Sequence, residues 1–306
     1  MLKSKTMRKR DFIFYLLLLA LPLLQFIIFY IGVNFNSILL AFKNIDPTTG
    51  KESFIGFENF KRVFFDWKTM PLFDYAFKNS FYIYVLGLII SVPFAIVFSF
   101  YIYKKMVCSQ IFRVLLFMPS IISPIVLTTM FSLFVESGIP EFIKIITDAQ
   151  SAPIGLLANP DTTFSTLFLY SMFFGFGTTT LLYVGAMTNI SESIVEAAKL
   201  DGCGLIQELM HITIPMIYPT LSVFLVTGIA GIFTNQLNLF SFYGKEAEHR
   251  YYTMGYYLFV NAMDTTNMYS YPYLSAMGLI ITLIVAPITI LVHKVLSHFD
   301  PAGGKQ

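Results

Sequence analysis

The chain has 306 residues, of which 56% are hydrophobic and only 12% charged. A soluble domain carries about 25% charged residues, so a soluble globular enzyme, a disordered chain and a disulfide scaffold are excluded; the mean hydropathy of +0.69 agrees. The net charge of +2 gives no electrostatic case for nucleic acid, and Cys108 and Cys203 have neither metal-ligand spacing nor a disulfide framework.

A helix that crosses a bilayer needs about 20 mostly apolar residues. Six runs meet this without an internal charge: 12–33, 81–103, 114–135, 164–187, 221–243 and 273–292. No alternating ten-residue pattern appears, which argues against a β-barrel. The first run follows Lys3, Lys5, Arg8, Lys9 and Arg10, as a signal peptide would, but it is too long and has no small-residue cleavage site after it. It reads as an uncleaved first span.

Basic residues favour the cytoplasmic side. With the N-terminus inside, the inner segments carry 11 Lys and Arg against 6 acidic residues, and the outer segments 9 against 12. The expected organisation is an all-α integral membrane protein with six transmembrane helices and both termini in the cytoplasm. Residues 1–11 form a cytoplasmic tail, 12–293 the membrane domain and 294–306 a second cytoplasmic tail. Outer loops cover 34–80, 136–163 and 244–272, and a short inner connection covers 104–113.

The inner loop at 188–220 is long and polar for a linker. Ser193 and Glu196 have capping-box spacing, which starts a helix. Asp201 and Gly202 end it, because glycine closes a helix cheaply in the left-handed conformation. A second short helix covers 205–211, limited by Pro215 and Pro219 before the fifth span. Two short helices joined by a glycine turn make a docking knob rather than a catalytic pocket.

This loop resembles the signature of binding-protein-dependent ABC importer permeases, which is Glu-Ala-Ala, three residues, Gly, nine residues, Ile-x-Leu-Pro. Here stand Glu196, Ala197 and Ala198, then Lys199, Leu200 and Asp201, then Gly202, and nine residues later Ile212, Thr213, Ile214 and Pro215. Ile214 in place of Leu is the departure, together with Ile190-Ser191 where many relatives have Ile-Pro. The stretch Phe54-Ile-Gly-Phe-Glu-Asn-Phe60 is similar to one in the first outer loop of sugar permeases of the maltose and glycerol-phosphate type, as is Thr253-Met254-Gly255 to Leu258. The resemblance implies a type I ABC importer permease with a cytoplasmic coupling helix between spans four and five. It implies as partners a second permease subunit, two cytoplasmic ATPase subunits and an extracytoplasmic solute-binding protein. It gives Glu196, Ala197, Ala198, Asp201, Gly202, Ile212 and Pro215 to ATPase coupling, with the glutamate meeting basic residues in a cleft of the ATPase.

The spans say how energy enters. Ion-coupled transporters place ionisable residues inside the membrane, and no span core carries one; His293 sits at the end of span six. The chain also lacks a phosphate-binding Gly-rich loop ending in Gly-Lys-Ser or Gly-Lys-Thr. ATP hydrolysis is therefore expected on a separate polypeptide, with no catalytic residue, metal or cofactor here. A charge-free path suits a carbohydrate. Thr234, Asn235, Gln236 and Asn238 are the candidate path residues, since amides bond hydroxyls and nearby Phe240, Phe242 and Tyr243 can stack on sugars. The same amides could instead join helices to each other. Gly175, Gly177, Thr178, Thr179 and Thr180 read as a close-packing patch, and Pro22, Pro93, Pro119, Pro124 and Pro287 as kinks. Two other readings stand beside this one: the same machinery with a cargo such as glycerol phosphate or a polyamine, and an intramembrane enzyme, which would need a polar catalytic set that the sequence lacks.

Overall fold

The computed structural model describes residues 9–301, apart from the side chains of residues 9–13 and of Phe176. The basic residues Lys3, Lys5 and Arg8, and Lys305 in the second tail, lie outside the described residues. The chain is nearly all helical. Among the described residues four helices are long and apolar enough to cross a membrane, or up to six if each bent pair is one span.

Among the described residues, one unit comprises 9–69 and 261–281. It opens with α1, Phe14–Leu40, which runs beyond the expected end at 33. Asn34 and Ser37 are polar, but each bonds back to the carbonyl one turn earlier, Asn34 Nδ2 to Tyr30 and Ser37 Oγ to Val33, so the helix continues. The expected outer loop then forms a hairpin of β1, Lys43–Ile45, and β2, Glu52–Phe54, paired antiparallel. Asp46 organises its turn: its carboxylate accepts from the Thr48 N–H at 2.8 Å, the Thr48 hydroxyl at 2.6 Å and the Thr49 N–H at 3.3 Å. The Thr48 hydroxyl, followed by the Thr48 and Thr49 amides, pulls the carboxyl pKa down to about 2.

Helix α2, Glu58–Thr69, follows. Asn59 is buried and its amide donates to the carbonyls of Ala41 at 2.9 Å and Lys43 at 2.7 Å, tying this helix to the start of the hairpin. Asp66 is also buried and accepts from the Tyr273 hydroxyl at 2.8 Å.

The other unit comprises 70–260 and 282–301 of the described residues. Helix α3, Pro71–Tyr103, begins ten residues before the expected 81. Met70 is extended and Pro71 sits at the helix start, where its missing N–H costs nothing. The Asp74–Lys78 pair at 2.7 Å, one turn apart, supports this added stretch. The third run is broken: α4, Ser109–Ile121, and α5, Pro124–Thr147, are separated near Pro119 and Pro124. Helix α6, Pro160–Thr188, is started by Asn159, whose side chain accepts from the Asp161 N–H.

The short α7, Glu192–Leu200, is followed by α8, Leu205–Met216, and α9, Tyr218–Ala230, with a 69° bend between the last two. The expected fifth span at 221–243 is therefore not one helix. It stops at Ala230, and the chain is non-helical from 231 to 238 before α10, Leu239–Tyr243. The expected outer loop at 244–272 contains α11, Met254–Ala262. The last helix, α12, is Tyr271–His298 and contributes to both units.

Three widened π turns share one cause. Segments Gly87–Ser91, Phe134–Gly138 and Leu209–Thr213 each end two residues before a proline: Pro93, Pro140 and Pro215. Proline lacks the N–H for the carbonyl four residues back and its ring collides with it. A wider turn relieves that collision without ending the helix.

Candidate functional site

The segment 188–220, expected as an inner loop, packs on an apolar cluster that it forms with α3 and α6. Ala95, Ile96 and Phe100 of α3, Tyr183 and Met187 of α6, and Ile190, Val195 and Ile217 are all buried together. Val195 is the one buried residue of α7. After it Glu196, Ala197, Leu200, Asp201 and Gly202 are exposed and Ala198 is half-buried; Leu200 is 89% exposed. The helix thus has one fully buried side chain and presents an acidic and apolar surface outward.

Its start differs from the expected capping box. Ser191, not Ser193, is the N-cap, and no side chain caps the first turn. Ser193 lies inside the helix, with its Oγ 2.8 Å from that of Ser191. Glu196 consequently sits in the second turn, where the helix dipole has mostly decayed. The end agrees with expectation. Gly202 has φ +81°, its N–H donates to the Lys199 carbonyl and the Cys203 N–H to the Ala198 carbonyl at 2.9 Å, which is a Schellman closure. The next helix starts where the Gln207 side chain accepts from the Gly204 N–H at 3.0 Å. That helix continues to Met216, past the expected 211, because the π turn accommodates Pro215; Ile212 and Pro215 are half-buried within it.

One contact had no signal in local sequence. Lys104, at the end of α3, places its Nζ 2.7 Å from both carboxylate oxygens of Glu208 in α8. The side chains are 13% and 3% exposed. A separation of 104 positions in the chain hides the pairing. The nearest sequence hint is an acid flanked by Leu205, Ile206, Leu209 and Met210.

A cavity of about 410 Å³ opens between α3, α6 and α9. Ser80, Tyr84, Ser91, Ser171, Thr179 and Asn235 supply its polar lining, and no charged residue lines it. Of the four candidate path residues only Asn235 lines this cavity; Thr234, Gln236 and Asn238 do not. All four lie in the 231–238 break. Leu237 and Asn238 have φ of 50° and 55° there, and the Asn235 carboxamide oxygen accepts from the Leu237 N–H at 2.8 Å. Irregular backbone at membrane depth is tolerated where it is buried in protein or lines a cavity.

The small-residue patch of α6 divides in two. Gly177 is buried and meets the backbone of α4, while Gly175 and Thr179 line the cavity. Among the described residues no group of three or more His, Cys, Asp and Glu side chains could hold a metal ion.

Residues 83–303 match the family of binding-protein-dependent transport system inner membrane components, and the chain belongs to that family. It is a membrane-spanning permease subunit of an ABC importer, a transport subunit and not an enzyme. It is 23% identical to the arabinooligosaccharides transport system permease protein AraP of Bacillus subtilis (strain 168), over 92% of this chain and 87% of that one. Its fold is similar to that in the crystal structure of a bacterial ABC transporter involved in the import of the acidic polysaccharide alginate, with a TM-score of 0.76 at 18% identity, covering 95% of this chain and 96% of that one. It is also similar to a bacterial alginate ABC transporter in complex with an alginate pentasaccharide-bound periplasmic protein, with a TM-score of 0.72 at 19% identity and 97% coverage of both chains.

Proposed function

We propose that this chain is one of two permease subunits through which a carbohydrate enters the cell, driven by two separate cytoplasmic ATPase subunits and fed by an extracytoplasmic binding protein. The observation that carries the reading is α7: a nine-residue helix whose one fully buried residue is Val195, exposing Glu196, Ala197 and Leu200, and closed at Gly202 with positive φ. An exposed apolar patch calls for a partner. A carboxylate at its centre suits a basic cleft, where the contact is charge-assisted. In this reading Glu196, Ala197, Ala198, Asp201 and Gly202 seat in the ATPase, Ile212 and Pro215 shape the base of the loop, and both termini are cytoplasmic.

The names of the arabinooligosaccharide relative and the alginate structures support a carbohydrate cargo. The uncharged, hydroxyl- and amide-lined cavity beside Asn235 favours a neutral one, since an ionic cargo would leave its charge unpaired in a low-dielectric site. Deletion of the gene should abolish growth on one class of single carbohydrates in a panel, and the tagged chain should co-purify with an ATPase. Undiminished growth on every carbohydrate together with loss of uptake of an amine or a phosphate ester would overturn the cargo assignment.

A further inference from the structure

We propose that Lys104 and Glu208 are positioning residues that hold the docking segment in register with the second span. The role rests on the transporter reading above. Three observations carry it.

The pair joins two elements that local sequence keeps apart. Lys104 closes α3, its own N–H donating to the Phe100 carbonyl at 2.9 Å, and Glu208 lies in the first turn of α8 with its N–H on the Gly204 carbonyl at 2.9 Å. Both carboxylate oxygens meet one ammonium at 2.7 Å.

The pair is shielded from water and surrounded by the rings of its own helix. The Lys104 Nζ lies 5.7 Å from the Phe100 ring centre and 5.8 Å from that of Tyr103. In such surroundings an ion pair is sensitive to geometry, because either charge loses its compensation when the other moves away.

The pair is also built into the anchorage of α7. Tyr103, next to Lys104, and Leu209, next to Glu208, pack on the cluster that holds Val195. Apolar contact is non-directional: it keeps α8 near α3 but lets one slide along the other. The ionic contact fixes where. A push on α7 then moves α8 and the end of α3 together, and without the pair it is absorbed by slippage.

The test uses the whole importer in lipid nanodiscs with MgATP as the probe. The readout is the ratio of MgATP hydrolysis with the binding protein to hydrolysis without it. A double variant, Lys104→Met with Glu208→Met, removes both charges and leaves an apolar pair suited to the buried site. A second, Lys104→Glu with Glu208→Lys, keeps an ion pair with the charges exchanged. The expected result is that the apolar pair retains the ATPases at wild-type ratio while its stimulation falls threefold or more, and that the exchanged pair recovers it. Stimulation of the apolar pair within threefold of wild type would overturn the role, since the charges would then serve stability only. Loss of the ATPases from the apolar variant would overturn it too, because the pair would then maintain the fold of the knob. A wild-type complex without stimulated hydrolysis would overturn the transporter reading, and this role with it.

Discussion

Gly177 of α6 lies directly against the backbone of Leu116 in α4: a Cβ added at Gly177 would sit 2.1 Å from the Leu116 carbonyl oxygen and 3.0 Å from its carbon. The obstacle is main chain, which cannot rotate aside as a side chain can. Gly177→Ala therefore has to push the two helices apart. The expected cost is that of overpacking, about 1–3 kcal/mol, read as a lower unfolding temperature in detergent. Gly185, in the same helix with nothing within 4 Å of its Cβ position, is the control. Gly185→Ala should be neutral or slightly stabilising, since alanine is the better helix former. Equal losses at both positions would refute the packing argument.

Glu196 and Gly202 should separate docking from folding. Glu196 is exposed and in the second turn of α7, so Glu196→Lys should leave the amount of protein in the membrane near normal. Its effect should appear as lost ATPase co-purification and lost uptake. Gly202→Val forces a β-branched residue to φ +81°, a strain of roughly 1–2 kcal/mol that loosens the turn between α7 and α8. Uptake should fall while insertion persists. Normal uptake by both variants would remove these residues from the coupling surface.

Asn235 should be the sensitive member of the four path candidates, because it alone lines the cavity. Asn235→Leu is expected to reduce uptake at least tenfold, the scale of about 1.4 kcal/mol, with the chain still in the membrane. Gln236→Leu should change uptake less than threefold. The reverse ranking in one transport assay would exclude this cavity from the path.

Asp46 gives a pH dependence with a defined sign. Its folded pKa is about 2, below the ordinary carboxyl value of 3.8. The stabilisation of the turn is therefore present above about pH 4 and is lost as the pH falls toward 2. Pepsin should cut the 43–54 hairpin progressively faster between pH 4 and pH 2, beyond the change in enzyme activity on an unstructured peptide. In Asp46→Ala the hairpin should be cut as fast at pH 4 as at pH 2, after the same correction. An unchanged pH profile in that variant would show that other groups hold the turn.

The proposed orientation can be checked through the native thiols. Cys108 is exposed and Cys203 partly so. A membrane-impermeant maleimide should leave both unmodified in intact cells and react with Cys108 once the membrane is opened. Modification from outside would invert the topology.

The amino-acid sequence alone determined the class of the molecule. Apolar runs of about 20 residues can be satisfied in a bilayer only as helices, since every backbone polar group must find a partner within the segment. The spacing from Glu196 to Pro215 marked the loop between α6 and α9, and Gly202 its positive-φ turn, because both are local properties. Element ends were decided by contacts that spacing does not reveal. Ser191 displaced Ser193 as the helix start, Asn34 and Ser37 bonded back and lengthened α1, and prolines widened helices into π turns instead of ending them. The fifth apolar run hid the break at 231–238 because hydropathy does not register backbone geometry. Only the tertiary structure brought Lys104 to Glu208 and Gly177 to Leu116: long-range pairs depend on which helix faces pack, and that choice is shared among many weak apolar contacts, none of them written in any one stretch of sequence.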